Sequence, residues 1–174
     1  KKLVATKLEN QLLSSPFAAI THSSREILGM GERVNVMLDD LAECLKNGPE
    51  SKKRKEAVFA GEAHLDSAQE EVTNFLTRLL SGRASQSIAN DAERQLRMSD
   101  DLETASDYIA QILKLHLRLQ DNNLQFDEEH SQGLLSLHEK NKALIELVLQ
   151  QINNPRDFQQ LEAIQQAGFE ITQL

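Results

Sequence analysis

Three segments of the sequence carry an acid or an amide followed four residues later by aspartate. They read NVMLD, EAHLD and ETASD, and the pairs are Asn35 with Asp39, Glu62 with Asp66, and Glu103 with Asp107. In a helix such residues are neighbours on one face, and two carboxylates there repel by roughly 0.2–0.5 kcal/mol unless a cation lies between them. Oxygen ligands suit Mg²⁺, Ca²⁺ and Mn²⁺, and carboxylates also bind iron and zinc. The spacing therefore predicts a metal site whose metal the sequence does not identify.

The three pairs lie on the same flank of their helices. On helical wheels drawn at about 100° per residue, Glu103 and Asp107 fall roughly 60° and 100° from the apolar line of their helix. The other two pairs fall at similar angles on the same side. The alternative is that these acids form an ordinary solvated flank of a helical bundle.

Long helices must carry these pairs, because apolar residues recur at helical spacing between short breaks. We predict a short helix at 3–13 and five longer helices: A from Pro16 to Asn47, B from about Ser51 to Ser81, C from about Ser87 to Leu119, D from about Asp127 to Ile152, and a last one after Pro155. Gly82 is expected to cap helix B in the left-handed conformation. Short connections between long amphipathic helices indicate an all-α, up-down antiparallel bundle. We expect residues 1–174 to form a single domain.

Composition supports this fold class and excludes several functions. The chain has seven Gly, three Pro, no Trp and a formal charge of −8, so a nucleic-acid partner is not expected. The basic run KKRK at 52–55 is interpreted as solvated lysines at a helix start. No stretch approaches the roughly 18 apolar residues of a membrane span, so we expect the given chain to be soluble. Because it begins without Met, we also expect it to be part of a longer protein.

Enzyme chemistry is not predicted. A ferritin-like di-iron site needs Glu-x-x-His pairs, and His130 has Asp127 three residues before it instead of Glu. Cys44 has no His nearby on its own helix, so it is interpreted as a packed apolar side chain. His116, near the apolar side of helix C, is predicted to be packed and hydrogen-bonded and not to act as a ligand.

The segment LETASD (102–107) resembles the signature of the PhoU family of phosphate-transport regulators, which usually reads leucine, glutamate, arginine, isoleucine, glycine, aspartate. AGEAHLDSAQEEVTNFL is similar to the family's preceding helix. LLSSPFAAITHSSREILGMGERVNVML is similar to the PhoU-like domain at the C-terminal end of bacterial sodium/phosphate cotransporters. The resemblance covers about residues 12–150.

The resemblance implies a bundle whose carboxylate pairs bind metal. It places ligands at Glu62, Asp66, Glu103 and Asp107, and more loosely at Asn35 and Asp39. It also implies a regulatory domain, not an enzyme, at the cytoplasmic face of the bacterial inner membrane. The expected partner is the transporter domain of the parent chain or a related phosphate transporter, and a homodimer is a further expectation.

The sequence also departs from the family. Thr104, Ala105 and Ser106 replace the usual arginine, isoleucine and glycine, which leaves the acids but removes any contact made by that arginine. Helix D has only a poor copy of the motif, which favours the transporter-appended form.

The alternative function is an adaptor bundle that binds a partner helix without metal or phosphate. It predicts an exposed apolar stripe on helix D or the last helix, with these residues as candidates: Leu134, Leu135, Phe158, Ile164, Phe169 and Ile171.

Overall fold

The described part of the chain is almost entirely helical. The computed structural model describes residues 10–47, 52–82, 84–153 and 158–173. They form a short 3-10 helix, Asn10–Ser14, and five α-helices: α1 (Pro16–Asn47), α2 (Lys52–Leu80), α3 (Gln86–Asp121), α4 (Glu128–Asn153) and α5 (Phe158–Thr172). No strand occurs among these residues. The predicted all-α bundle class is confirmed.

Helix ends follow local rules that the sequence carries. Pro16 opens α1, where its missing N–H costs nothing, and Ser15 accepts the bond from the N–H of Ala19 at 2.9 Å. Asp127 caps α4, because its Oδ1 accepts the backbone N–H of His130 at 2.8 Å.

The end of α3 is a Schellman motif. The N–H of Leu124 donates to the carbonyl of Leu119, and the N–H of Asn123 donates to Gln120, both at 2.9 Å. Asn123 has a φ of 56°, the left-handed conformation that asparagine tolerates better than most residues. Helix α3 therefore runs two residues past the predicted end and then turns sharply.

The end of α2 differs from the prediction. Gly82 does not adopt the predicted left-handed conformation; its N–H bonds the carbonyl of Leu79 at 3.2 Å, which closes α2 with a tighter turn. The predicted helix at 3–13 falls mostly outside the described residues, and its described end is the 3-10 turn.

The chain divides into two compact units. The first contains Lys1–Val34 and Ala60–Asp107, and the second contains Asn35–Phe59 and Tyr108–Leu174. Helices α1, α2 and α3 each contribute residues to both units. The apolar residues that recur at helical spacing along α2 are all buried: Val58, Leu65, Val72, Leu76 and Leu79.

Within the first unit, α3 presents small residues to the core. Ala92, Ser99 and Ser106 are each 0% exposed. Small side chains allow neighbouring helices to approach closely, because interaxial distance depends on the residues at the contact. Gln95 and Ser23 are also buried there and are hydrogen-bonded to each other, so α1 and α3 share a satisfied polar contact.

Within the second unit, α4 packs less deeply than α1 and α3. Leu113 of α3 and Cys44 of α1 are fully buried, whereas Leu149 is the one residue of α4 in the core. Helix α4 also packs against α5, with a hydrogen bond from Gln160 to Gln150 at 3.3 Å. The apolar stripe of α4 is thus only half-buried along most of its length.

Candidate metal centre

Helices α2 and α3 bring three carboxylates together in the first unit. Each of Asp66, Glu103 and Asp107 offers an oxygen, and these oxygens lie within 4.8 Å of one another. We call these three residues the acidic cluster. Leu65 and Ser106, the neighbours of two cluster residues, are fully buried. Because a helix turns about 100° per residue, these neighbours hold Asp66 and Asp107 at the edge of the core.

The antiparallel pairing of α2 and α3 sets which acids meet. Three residues beyond Asp66 on α2, the Gln69 amide donates to the Asp100 carboxylate at 2.6 Å, and Asp100 lies three residues before Glu103 on α3. This hydrogen bond belongs to the same register of the two helices that places the acids of the cluster side by side.

The cluster is electrostatically unbalanced. Burial raises the pKa of the Glu103 carboxyl, and the negative charges of Asp107 and Asp66 raise it further. The Thr104 hydroxyl donates to Glu103 at 3.4 Å and opposes this effect only weakly. None of the three acids makes an ion pair with a Lys, Arg or His in the part of the chain that is described. Mutual repulsion with no basic partner is the condition in which a bound cation stabilises most.

The donor set fits a hard cation. It consists of carboxylate oxygens on two helices, with Asp66 and Asp107 exposed and Glu103 half-buried. Such oxygens are the ligands of Mg²⁺, Ca²⁺ and Mn²⁺, with water completing the coordination shell, and clustered carboxylates also bind iron. Exposed acids are common without a metal, so the cluster by itself defines a candidate centre.

Glu62, which is also predicted to be a metal ligand, lies outside the acidic cluster. It is half-buried on α2, one turn before Asp66. The sequence pairs it with Asp66 by spacing alone, whereas the structure pairs Asp66 with residues of α3. The role predicted for Glu62 stays a prediction.

Asn35 and Asp39 belong to the second unit, where α4 supplies a cation. The Lys142 ammonium is 2.5 Å from Asp39 Oδ1, and this hydrogen bond raises the pKa of Lys142. The buried Oδ1 of Asn35 has no hydrogen-bond partner among the described residues. Spacing within one helix could not indicate the pair of Asp39 and Lys142, because the two residues lie on α1 and α4. The poor copy of the motif in helix D, which contains Asn141 and Lys142, was the available signal.

A second ion pair was also missed. Lys52 and Lys53 of the basic run are exposed, as predicted, but Arg54 pairs with Asp40 at 2.5 Å. The Asp40 side chain is only 6% exposed. The run therefore supplies a structural partner for a buried acid in addition to solvated charge.

The interpretation of His116 as a packed residue agrees with the structure. It is half-buried, and its Nε2 lies 2.9 Å from the Gln120 amide nitrogen. Burial lowers its pKa, and the charge of Lys55 lowers it further. Its buried Nδ1 has no hydrogen-bond partner of good geometry among the described residues, although the nearby Cys44 backbone acts to raise the pKa. Cys44 is itself fully buried.

The stripe predicted by the adaptor interpretation is only partly exposed. Phe169 is 61% exposed, whereas Leu134, Leu135, Ile164 and Ile171 are half-buried. The Phe158 side chain lies outside the described residues. No helix of the described chain is long and apolar enough to cross a membrane.

A comparison with family models identifies the family of the chain. The model of the PhoU domain matches residues 27–115, about half of the chain. The match starts within α1 and ends within α3, so it includes all six predicted ligands. It is narrower than the resemblance predicted for residues 12–150. No curated protein and no solved structure matches the chain.

Proposed function

Because the chain belongs to the PhoU domain family, we propose that it is a regulatory helical domain of phosphate transport that binds a divalent or iron ion through its acidic cluster. The observation that carries the metal proposal is the convergence of Asp66, Glu103 and Asp107 within 4.8 Å. The proposal extends the family assignment, which by itself gives a phosphate-related regulatory domain.

The three carboxylates hold the ion from two helices. Asp66 comes from α2, whereas Glu103 and Asp107 come from α3, so an ion that all three contact ties the two helices together. The ion supplies positive charge that offsets the mutual repulsion of the acids. Since an ion that binds only the folded form stabilises it by mass action, occupancy of the centre raises the free energy of unfolding.

The proposed partner is the membrane domain of a sodium-dependent phosphate cotransporter, either in the parent chain or in a related protein. The domain lies at the cytoplasmic face of the bacterial inner membrane and acts by binding, without catalysis. A change in metal occupancy alters how the bundle docks on the transporter. Homodimers of the domain are part of the same proposal. These steps rest on the family resemblance alone.

Direct metal binding tests the centre. The metal-stripped chain is titrated with Mg²⁺, Ca²⁺, Mn²⁺, Zn²⁺ and, under anaerobic conditions, Fe²⁺, and bound metal is counted after dialysis. The double variant Glu103→Gln/Asp107→Asn is expected to lose binding. The matched control is Asp101→Asn, an exposed acid on the same helix that is not in the cluster. Equal binding by both variants would show that the metal lies elsewhere.

Phosphate uptake tests the regulatory part. In the native cells, the chromosomal copy is replaced by Glu103→Gln/Asp107→Asn or by Asp101→Asn, and sodium-driven uptake of radioactive phosphate is measured. Only the cluster variant is expected to change uptake or its response to phosphate starvation. If neither variant changes uptake and the chain binds no metal, the adaptor function becomes the better account, with exposed Phe169 as the first residue to test for a partner.

A further inference from the structure

A cavity of about 470 Å³ lies in the second unit, at the turn between α3 and α4. This volume falls within the range of roughly 300–1,000 Å³ that is typical of small-molecule sites. Its apolar wall comes from α1, α3, α4 and the turn: Leu45, Leu119, Leu124, Phe126, Leu134 and Leu135.

The Schellman motif at the end of α3 builds this wall. The left-handed Asn123 reverses the chain, and the bond from Leu124 back to Leu119 puts both leucines at the cavity. Leu124 stays 57% exposed and Phe126 48% exposed, so two large apolar side chains face water at the cavity. Covering such apolar surface is favourable by about 25 cal/mol per Å². A ligand with an apolar part would gain this free energy.

The polar lining gives the cavity a charge preference. Lys46, an exposed residue in the last turn of α1, lines the cavity, and no Asp or Glu is among the lining residues described. This is notable in a chain with 27 acids and 19 basic residues. Lys46 makes no ion pair within the described ranges. Glu128 and Glu129 begin α4 nearby in sequence but do not line the cavity.

We propose that this cavity binds a medium-chain fatty carboxylate, with the acyl chain against the leucine and phenylalanine wall and the carboxylate at Lys46. The site lies wholly in the second unit and is independent of the acidic cluster, which lies in the first. Gln120, Asn123 and Ser131 supply further polar groups at the cavity that can bond the carboxylate or its water.

Decanoate, below its micelle-forming concentration, is the probe. Leucine methyl spectra of the ¹³C-labelled full chain report where it binds. Saturable shifts are expected at leucines of the cavity wall, such as Leu119 and Leu135, and not at Leu65 or Leu76 of the first unit. Decylammonium and decanol, which have the same chain with a cationic or neutral head, are expected to bind more weakly.

Variants separate the charge from the apolar wall. Lys46→Gln should weaken decanoate binding by a factor of about 1.4 to 5, the range for one exposed ion pair, and should leave decanol binding unchanged. Lys52→Gln is the matched control, since Lys52 is exposed and lies outside the cavity. Gln125→Trp, in the exposed turn, should fill the cavity and abolish decanoate shifts, and Ser131→Trp should do the same from α4.

Three results would overturn the proposal. The first is the absence of saturable decanoate shifts at the cavity leucines. The second is equal binding of decanoate and decylammonium, or equal effects of Lys46→Gln and Lys52→Gln on decanoate binding. Either would show that the cavity does not bind the carboxylate through Lys46. The third is unchanged binding in a folded Gln125→Trp variant, which would place the acyl chain elsewhere.

Discussion

Neutralising one acid of the cluster should stabilise the metal-free domain. The substitution is Glu103→Gln, which keeps the shape of the side chain and removes its charge. Glu103 is the right choice because its pKa is raised first by burial and then by its neighbours Asp107 and Asp66, so its ionised form is disfavoured in the folded state. Most single substitutions destabilise a protein, so a gain in stability is a demanding expectation.

The magnitude follows from the geometry of the cluster. Two unit charges at 4.8 Å repel by about 0.9 kcal/mol in water, and salt at physiological strength reduces this by about half. Glu103 has two such neighbours, so its repulsion sums to about 1 kcal/mol. For a chain of 174 residues this corresponds to a rise in Tm of roughly 2–4 °C.

The assay is thermal unfolding followed by circular dichroism, with a chelator and again with saturating metal. With chelator, Glu103→Gln should melt above the wild type, while Asp101→Asn should match the wild type. With metal at one hundred times its Kd, the wild type should gain about 2.7 kcal/mol and overtake the variant. The order of the two melting temperatures should thus reverse between the two conditions.

Two outcomes would refute this reasoning. A lower Tm for Glu103→Gln in chelator would mean that the charge is compensated by a partner that the cluster geometry does not include. An equal rise for Asp101→Asn would mean that the effect comes from the overall charge of −8 and not from the cluster.

Three further predictions address the ion pair of the second unit, the core and pH. Lys142→Met should destabilise the domain by about 0.2–1 kcal/mol, because the Lys142 and Asp39 side chains are 31% and 56% exposed. The resulting change in urea midpoint should be smaller in 1 M salt than at low salt, and an equal change at both salt concentrations would contradict the pairing. Leu113→Ala should lower the free energy of unfolding in urea by about 2–5 kcal/mol, since Leu113 is fully buried. Leu115→Ala, at a 51% exposed site, should lower it by less than about 0.5 kcal/mol, and similar losses for the two variants would contradict the assigned burial. The raised pKa of Glu103 contributes stability that is present below its ordinary value of 4.5 and is lost as pH rises through the raised value. The Tm advantage of Glu103→Gln in chelator should therefore grow from acid towards neutral pH and then level off. A Tm advantage that is constant with pH would contradict this.

The sequence by itself determined the helices and the buried stripe of α2. Pro16, Asp127 and the apolar spacing in α2 act within a few residues, so helix limits and facing could be predicted without knowing any neighbour. The segment LETASD, together with the similar segments of helices A and B, likewise predicted the family to which the chain belongs. The Glu103 and Asp107 pair was predictable because both acids lie on one helix.

Only the tertiary structure decided which acids meet and what neutralises them. Helical periodicity fixes the direction of a side chain but not how far one helix is shifted along its neighbour, and that shift is set by side-chain packing. Packing in the first unit therefore placed Asp66, and not Glu62, in the acidic cluster. In the second unit it gave Asp39 a lysine from α4, which lies 103 residues further along the chain.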